Sequence, residues 1–251
     1  MNGGERSPTT GRISWLALAA LALAVAALVA AAAAGPGSRW DAWDFRTGFT
    51  VLRWSAIAGL GAAVVGLAGL GHTRPGGTYR GFSVALMAVL LGLGTFAVPY
   101  MVSRQAASAP PIHDISTDLD DPPRFEAVLP LRADAPNPPE HGGPEVAAQQ
   151  AEAYPDIQPM PLDVAPAEAF DRALEAARAQ GWEIVAADPE AGRIEATATT
   201  FWFGFEDDVV VRVRPADTGS VVDVRSVSRV GRGDAGKNAD RIREYLDALQ
   251  E

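Results

Sequence analysis

The spacing closest to a known chemical motif is Gly231-Arg-Gly-Asp-Ala-Gly-Lys-Asn238, one residue away from the phosphate-binding loop G-x-x-x-x-G-K-[ST]. In that loop the last hydroxyl ligates magnesium, and a neighbouring parallel strand supplies an aspartate. Asn238 has no hydroxyl, and the neighbouring strands are predicted to be antiparallel. We therefore expect the glycines to turn the chain and Asp234 to cap the following helix, with no nucleotide and no other cofactor.

Basic residues around the same turn suggest a simpler kind of anion binding. The N-terminus of a helix presents free amides and the positive end of its dipole, which attract a small anion or a lipid headgroup. The candidate ligand-binding residues are Arg225, Arg229, Arg232, Lys237 and the aromatic Trp202. The competing interpretation, which we favour, is a structural network in which acids pair with these arginines across the strands. Those acids are Asp207, Asp208 and Asp223.

Metal binding and catalysis find less support in the sequence. The oxygen-rich tract around His113 contains Asp114, Asp118, Asp120 and Asp121. It lacks the glycine and the distal glutamate of an EF-hand, so we expect solvated turns and no metal. The chain contains three histidines and no cysteine, which excludes disulfides and thiolate chemistry. We assign no catalytic residue.

Four aromatic residues lie within five positions, at Phe201-Trp-Phe-Gly-Phe205, directly before three acids. In an extended strand the three phenylalanines would share one face and Trp202 would lie on the other. We expect most of these rings to fill the core beneath the helices. The alternative is an exposed edge that docks a partner or lines an apolar cleft.

The elements that carry these side chains follow three uncharged apolar runs, Ile13–Ala34, Trp54–Gly71 and Gly81–Ser103. Each run is long enough to cross a hydrocarbon core of about 30 Å as a helix. Their interiors hold no Asp, Glu, Lys, Arg or His, which argues against an ion or proton pathway. We interpret residues 1–104 as a three-span membrane anchor. The first run is expected to be retained, because it exceeds the ~7–15 apolar residues of a signal peptide.

Charge separates this anchor from the rest of the chain. Residues 1–104 contain 8 basic and 3 acidic residues, whereas residues 105–251 contain 13 and 28, a net charge of −15. Such an acidic domain repels phosphate backbones, so no nucleic-acid partner is expected. Basic residues before the first run, including Arg6, and in the 72–80 loop favour a cytoplasmic N-terminus. We predict a multi-pass plasma (inner) membrane protein with its C-terminal domain on the extracytoplasmic side.

Proline marks the beginning of the acidic half. Residues 105–161 contain 12 of the 19 prolines, and proline disfavours both helices and central strands. We expect an extended segment over residues 105–160 with a mobile loop at 132–150. Within it, residues 112–125 alternate buried-looking and polar side chains more regularly than a random linker would.

The remaining residues, 161–251, have the pattern of a small α+β domain. Helical periodicity follows Pro166, and a second amphipathic stretch ends the chain. Period-2 alternation predicts strands at 182–187, 193–200, 208–214 and 220–230. The predicted fold class is therefore three transmembrane α-helices followed by an α+β soluble domain, with an antiparallel four-stranded sheet and helices packed on one face.

Two long stretches of this domain are distinctive. They read GRIEATATTFWFGFEDDVVVRVR at 192–214 and VDVRSVSRVGRGDAGKNADRIR at 222–243. They resemble a bacterial membrane-anchored family catalogued as domain of unknown function 1499, and tracts at 112–125 and 154–157 fit it as well. The resemblance covers about residues 112–250 and implies N-terminal hydrophobic helices. It implies no activity and no catalytic residues.

Two classes of function remain. We prefer a non-catalytic module of the cell envelope whose acidic domain binds a partner protein or a lipid-like or anionic ligand. The alternative is an enzyme with an unrecognised site around Arg225, Arg229 and Asp207. A pocket where these groups converge would favour a ligand site, whereas a solid core would favour a scaffold.

Overall fold

The computed structural model describes residues 11–250, so Arg6 of the topology argument and Glu251 lie outside the described residues. The chain divides into two compact units between Ser103 and Arg104. Each unit has its own cluster of buried apolar residues.

The first unit consists of three long apolar helices and one short strand pair. The elements are β1 (Arg12–Ile13), α1 (Trp15–Arg39), α2 (Phe45–His72), β2 (Tyr79–Arg80) and α3 (Phe82–Ser108), and the two strands pair in parallel. All three helices are long and apolar enough to cross a membrane, as the three apolar runs predict. Helix α2 begins behind Asp44, whose carboxylate accepts hydrogen bonds from the backbone amides of Arg46 and Thr47 at 2.8 and 3.2 Å.

Small residues allow α2 and α3 to approach closely. A Cβ at Gly92 would stand 2.4 Å from the carbonyl oxygen of Gly59. A Cβ at Gly66 would stand 2.8 Å from a methyl group of Val89. The helices therefore pack backbone to backbone, which is typical of helix pairs in membranes.

The second unit is built on a six-stranded antiparallel sheet. In chain order its strands are β3 (Asp114–Ser116), β4 (Met160–Leu162), β5 (Glu183–Asp188), β6 (Arg193–Thr199), β7 (Glu206–Pro215) and β8 (Ser220–Ser228). The spatial order is β3-β8-β7-β6-β5, and β4 also pairs with β8. The prediction of four strands is wrong, because β3 and β4 come from the proline-rich segment. Pro161 is tolerated in β4 because that strand lies at the sheet edge.

Part of the segment expected to be an extended chain is helical. A 3₁₀ turn covers Leu129–Arg132, and α4 covers Gly143–Ala153. Gln150 of α4 is fully buried, and its amide exchanges two hydrogen bonds with the backbone of Ser116 in β3, at 2.6 and 2.9 Å. These bonds satisfy backbone groups that would otherwise be unpaired at a sheet edge.

Two helices, α5 (Pro166–Ala179) and α6 (Lys237–Ala248), cover one face of the sheet, as predicted. Alternate valines of β7 and β8 face these helices. The apolar face of the strands, which repeats every two residues, therefore packs against the apolar faces of the helices, which repeat every 3.6 residues. Tyr245 of α6 is fully buried and donates a hydrogen bond to the carbonyl of Ala173 in α5 at 2.9 Å. The same ring stacks on Trp182 at 4.9 Å.

The aromatic run forms a turn rather than a strand. Strand β6 ends at Thr199 and β7 begins at Glu206, so the rings lie in the connection between them. Phe201 is 91% exposed and Trp202 39% exposed, whereas Phe203 is buried against its neighbours. Among the described residues, none of these four aromatics belongs to the core beneath α5 and α6. The expectation that most of them fill that core is therefore wrong.

Candidate functional site

The sheet face opposite the helices carries a buried network of charges. Glu195, Asp208, Asp223 and Arg225 occupy alternate positions of β6, β7 and β8, and each is at most 1% exposed. The chain between β3 and α4 covers this face, with Phe125 and Val128 in a small second apolar cluster. A charge buried here must be paired, because an uncompensated buried charge is strongly destabilising.

Arg225 is the most completely enclosed of the predicted ligand-binding residues. Its Nε and Nη2 donate to the two carboxylate oxygens of Asp114, at 2.8 Å each. It also donates to the carbonyls of Pro123 and Pro139, at 3.1 and 2.8 Å. The guanidinium lies 5.1 Å from the centre of the Phe125 ring. Of its five N–H groups, one on Nη1 has no partner among the described residues.

Asp208 is shared between two arginines. It accepts hydrogen bonds from Arg132 Nη1 at 3.0 Å, and from Nε and Nη2 of Arg229 at 3.0 and 2.8 Å. The hydroxyl of Thr197 donates to it at 2.9 Å. The side-chain hydrogen bond with Asp208 raises the pKa of Arg229, which also pairs with Glu206. The charge of Arg229 is thus neutralised by two acids, Asp208 and Glu206.

The other two acids of the predicted network have different arginine partners. Asp207 accepts a hydrogen bond from Arg241 of α6 at 2.6 Å. Asp223 accepts from Arg212 and Arg214, at 3.0 and 2.7 Å. The acids therefore do pair with arginines, although only Asp208 uses one of the arginines named from the sequence.

The turn before α6 differs in detail from the sequence prediction. The helix N-cap is Gly236 rather than Asp234. The Asp234 carboxylate nevertheless accepts the backbone N–H of Gly236 and of Asn238, at 2.8 and 2.7 Å. These are amides that a bound anion would use. Burial raises the pKa of Asp234.

Asn238, which stands where a phosphate-binding loop has Ser or Thr, is fully buried. Its side chain accepts from the Ser226 hydroxyl at 2.7 Å and donates to the Ser228 hydroxyl at 2.9 Å and to the His113 carbonyl at 3.0 Å. It attaches α6 to β8 and to the residue before β3. The stretch is thus a structural turn.

The five residues proposed from the sequence do not form one site. Arg225 lies on the network face of β8, and Arg229, the residue after β8, bonds Asp208 on the same face. Lys237 instead begins α6 on the opposite face. Arg232 contributes its backbone carbonyl, 3.4 Å from His113 Nδ1. Trp202 lies in the aromatic turn, 5.3 Å from the Phe203 ring. Anion binding at these residues stays a prediction. Arg225 and Arg229 have little free positive charge for it, because each is already paired with acids.

The acidic tract is likewise divided among arginines. Asp114 binds Arg225, while Asp118 and Asp121 both bind Arg212, at 3.0 and 2.8 Å. Within residues 11–250, no group of three or more His, Asp or Glu side chains is placed to hold a metal ion.

A cleft of about 430 Å³ opens beside Arg225. Ligand pockets usually measure roughly 300–1,000 Å³. Its polar lining consists of Asp120, Asp121, Arg124, Glu140, His141 and Arg225, and Phe125 and Leu129 supply apolar surface. All of these residues except Arg225 belong to the segment that covers the network face.

A family model described as Protein of unknown function (DUF1499) matches residues 114–249. The chain belongs to the DUF1499 family. The match begins at the first residue of β3 and ends just after α6, so the DUF1499 domain contains the complete six-stranded sheet, its helices and the cleft. A search of curated proteins finds no match to this chain.

His141 is one of the residues of the DUF1499 cleft that the sequence did not suggest. Its Nδ1 accepts the backbone N–H of Gly143 at 3.1 Å, so the neutral ring carries its proton on Nε2. This Nε2 is buried without a hydrogen-bond partner among the described residues. Burial lowers the pKa of His141, which keeps the ring neutral at pH 7. The sequence feature that could have drawn attention to His141 is Gly142-Gly143-Pro144, which is typical of a helix start. The first amides of a helix need an acceptor, and His141 supplies one.

Proposed function

We propose that this protein is a plasma-membrane-anchored binding module whose DUF1499 domain lies on the extracytoplasmic side and captures a small ligand in the cleft beside Arg225. One observation carries the proposal. A cleft of ligand size is bordered by Arg225 and His141, which each retain an N–H without a partner among the described residues. Buried donors are nearly always satisfied, so an unused pair beside a cavity indicates a missing acceptor.

The charge balance of the cleft favours a neutral or cationic ligand. Arg225 is neutralised by Asp114, and Asp121 by Arg212. Asp120 and Glu140 then outnumber Arg124 among the remaining lining charges. A ligand that offers hydroxyl or amine groups can use these acceptors, and its carbon skeleton can rest on Phe125 and Leu129.

Two features support binding rather than catalysis. The described lining of the cleft contains no hydroxyl, thiol or amine nucleophile, so a nucleophile there would have to be a carboxylate or His141. Of the three residues suggested for an enzyme site, only Arg225 borders the cleft, while Arg229 and Asp207 are paired with other residues. The three residues named by the enzyme hypothesis therefore do not converge on the cleft.

An untargeted binding experiment can identify the ligand. We expect the full-length protein, dialysed against a metabolite extract of its own cells, to enrich a neutral or cationic small molecule detectable by mass spectrometry. His141→Phe and Glu140→Gln should each lose this enrichment, because they remove a donor and an acceptor of the cleft. Glu175→Gln, at an exposed position of α5, serves as the matched control and should retain it. Enrichment of anions that survives His141→Phe would contradict the proposal.

The proposed orientation makes a second prediction. With a cytoplasmic N-terminus and three crossings, residues after α3 are exported. A reporter that is active only outside the cytoplasm, fused after Glu251, should therefore be active, and a cytoplasm-dependent reporter at the same position should be silent. The reverse pattern would place the DUF1499 domain in the cytoplasm.

A further inference from the structure

A groove opens between α2 and α3 in the first unit, at the end of the helix pair where α2 begins and α3 ends. Its volume is about 390 Å³, which is within the size range of ligand sites. One wall comes from residues 49–57 of α2 and the other from residues 96–103 of α3. Arg53 is the one charged side chain of the described lining, and most of the other lining residues are apolar.

The groove begins where the close packing of the two helices ends. A Cβ at Gly59 would stand 2.9 Å from the carbonyl oxygen of Gly92, so the backbones touch at this point. Toward the groove the side chains become large, and the rings of Phe96 and Tyr100 stack on each other at 5.5 Å along α3. Ala56 on α2 is 9% exposed and offers only a methyl group. The change from small to large residues therefore leaves unfilled space between two apolar walls.

The positive charge of this groove is not neutralised within the described part of the unit. Arg53 is exposed and forms no ion pair with a described residue. Residues 11–103 contain two acids, Asp41 and Asp44. Asp44 accepts hydrogen bonds from the Thr47 hydroxyl at 2.8 Å and from backbone amides at the start of α2. An apolar groove with an unpaired arginine suits an amphiphile that carries negative charge on its headgroup.

Arg53 also lies at the position along α2 where a headgroup is expected. Trp54, which is 63% exposed, begins the apolar run of α2, and Tyr100, which is 50% exposed, lies near the end of the apolar run of α3. Trp and Tyr side chains favour the boundary between the bilayer and water. Ile57 is one turn beyond Arg53, about 6 Å further along the helix, and Phe96 is one turn before Tyr100. The apolar walls therefore continue toward the acyl chains.

We propose that this groove binds an anionic phospholipid of the surrounding bilayer, with the lipid phosphate at Arg53 and an acyl chain along Ile57 and Phe96. Ile57 is 46% exposed, so the groove is open at the side on which lipid would enter. An anionic lipid is preferred to a zwitterionic one because it has no cation of its own to compete with Arg53 for the phosphate. The inference rests on the membrane anchoring of the proposed function and is independent of the cleft beside Arg225.

Native mass spectrometry of the full-length protein in detergent, titrated with phosphatidylglycerol or phosphatidylcholine of the same acyl chains, measures this preference. We expect phosphatidylglycerol to bind more tightly. Arg53→Gln should weaken its binding about fivefold, the effect of one arginine near anionic lipid, and should leave phosphatidylcholine binding nearly unchanged. Arg74→Gln, at an exposed position beyond the opposite end of α2, is the matched control and should change neither. Equal binding of the two lipids, or equal losses in the two variants, would overturn the site.

Photocrosslinking locates the lipid on the helices. Phosphatidylglycerol with a diazirine in its acyl chain, reconstituted with the full-length protein, should crosslink mainly to residues 49–57 and 96–103. Crosslinks of equal yield at exposed positions of α1, such as Val29, would overturn the groove as a binding site. Alkaline carbonate extraction of native membranes tests the anchor separately. Release of the protein would overturn the membrane anchoring itself, whereas retention without a preference for phosphatidylglycerol would overturn the lipid site alone.

Discussion

Replacing Arg225 by glutamine should destabilise the DUF1499 domain by about 3–5 kcal/mol, because the substitution leaves the Asp114 carboxylate buried without its cation. Asp114 is 4% exposed and Arg225 1% exposed, so the ion pair is shielded from bulk water in the parent protein. The substitution also removes donors to the Pro123 and Pro139 carbonyls, which hold the covering segment on the sheet. Urea unfolding of a fragment that begins at Ser108 measures this loss.

A matched control separates the buried pair from surface charge. Arg172 pairs with Glu168 on an exposed turn of α5, where both side chains are at least half exposed. Arg172→Gln should therefore change stability by at most about 0.5 kcal/mol. Adding Asp114→Leu to Arg225→Gln should recover part of the loss, since it removes the unpaired charge. Equal effects of Arg225→Gln and Arg172→Gln would show that the network contributes no more than a surface pair.

The elements that the sequence predicts correctly are those in which one hydrophobic periodicity repeats several times. Strands β5 to β8 and helices α5 and α6 each repeat their pattern over at least six residues, so one face can be recognised from local sequence alone. Strands β3 and β4 have three residues each. Three positions are too few to display a period, and their pairing with β8 is set by residues far along the chain.

Helix α4 escapes sequence-based prediction for a related reason. It buries one side chain fully, Gln150, whose partner is the backbone of Ser116, and only Val146 packs partly buried against the apolar core. Such a helix has no apolar stripe that the sequence could reveal. The aromatic turn shows the opposite difficulty, because strongly apolar residues continue past the end of β6. Residue type alone does not locate the point where a strand leaves the sheet.

Only part of the candidate site can be read from the sequence. Arg225 is recognisable as a basic residue of a predicted strand, but its partner Asp114 lies 111 positions earlier. The cleft depends on the covering segment lying over β8, which no local pattern specifies. His141 falls within a stretch whose prolines and glycines suggest mobility, and its significance depends on burial of one ring nitrogen.

The shared carboxylate Asp208 gives the second large effect. Asp208→Asn should cost about 3–5 kcal/mol, because it leaves Arg132 and Arg229 with one remaining acid, Glu206. The new amide would also present N–H groups to guanidinium donors. Asp217→Asn, in an exposed turn, is the matched control and should stay within about 0.5 kcal/mol of the parent.

Replacing Arg229, the partner of Asp208, should reduce the stability of the domain less than replacing Asp208. Arg229→Gln leaves Asp208 bonded to Arg132 and Thr197, so its cost should be about 1–3 kcal/mol, that of a polar group losing one partner. Phosphate or sulfate should not raise the melting temperature of the parent domain beyond an ionic-strength effect, because Arg229 is already neutralised. An anion-specific increase abolished by Arg229→Gln would instead establish the anion site predicted from the sequence. A larger loss of stability for Asp208→Asn than for Arg229→Gln would indicate that Asp208 is a structural carboxylate shared by two arginines. The reverse order would be inconsistent with that role.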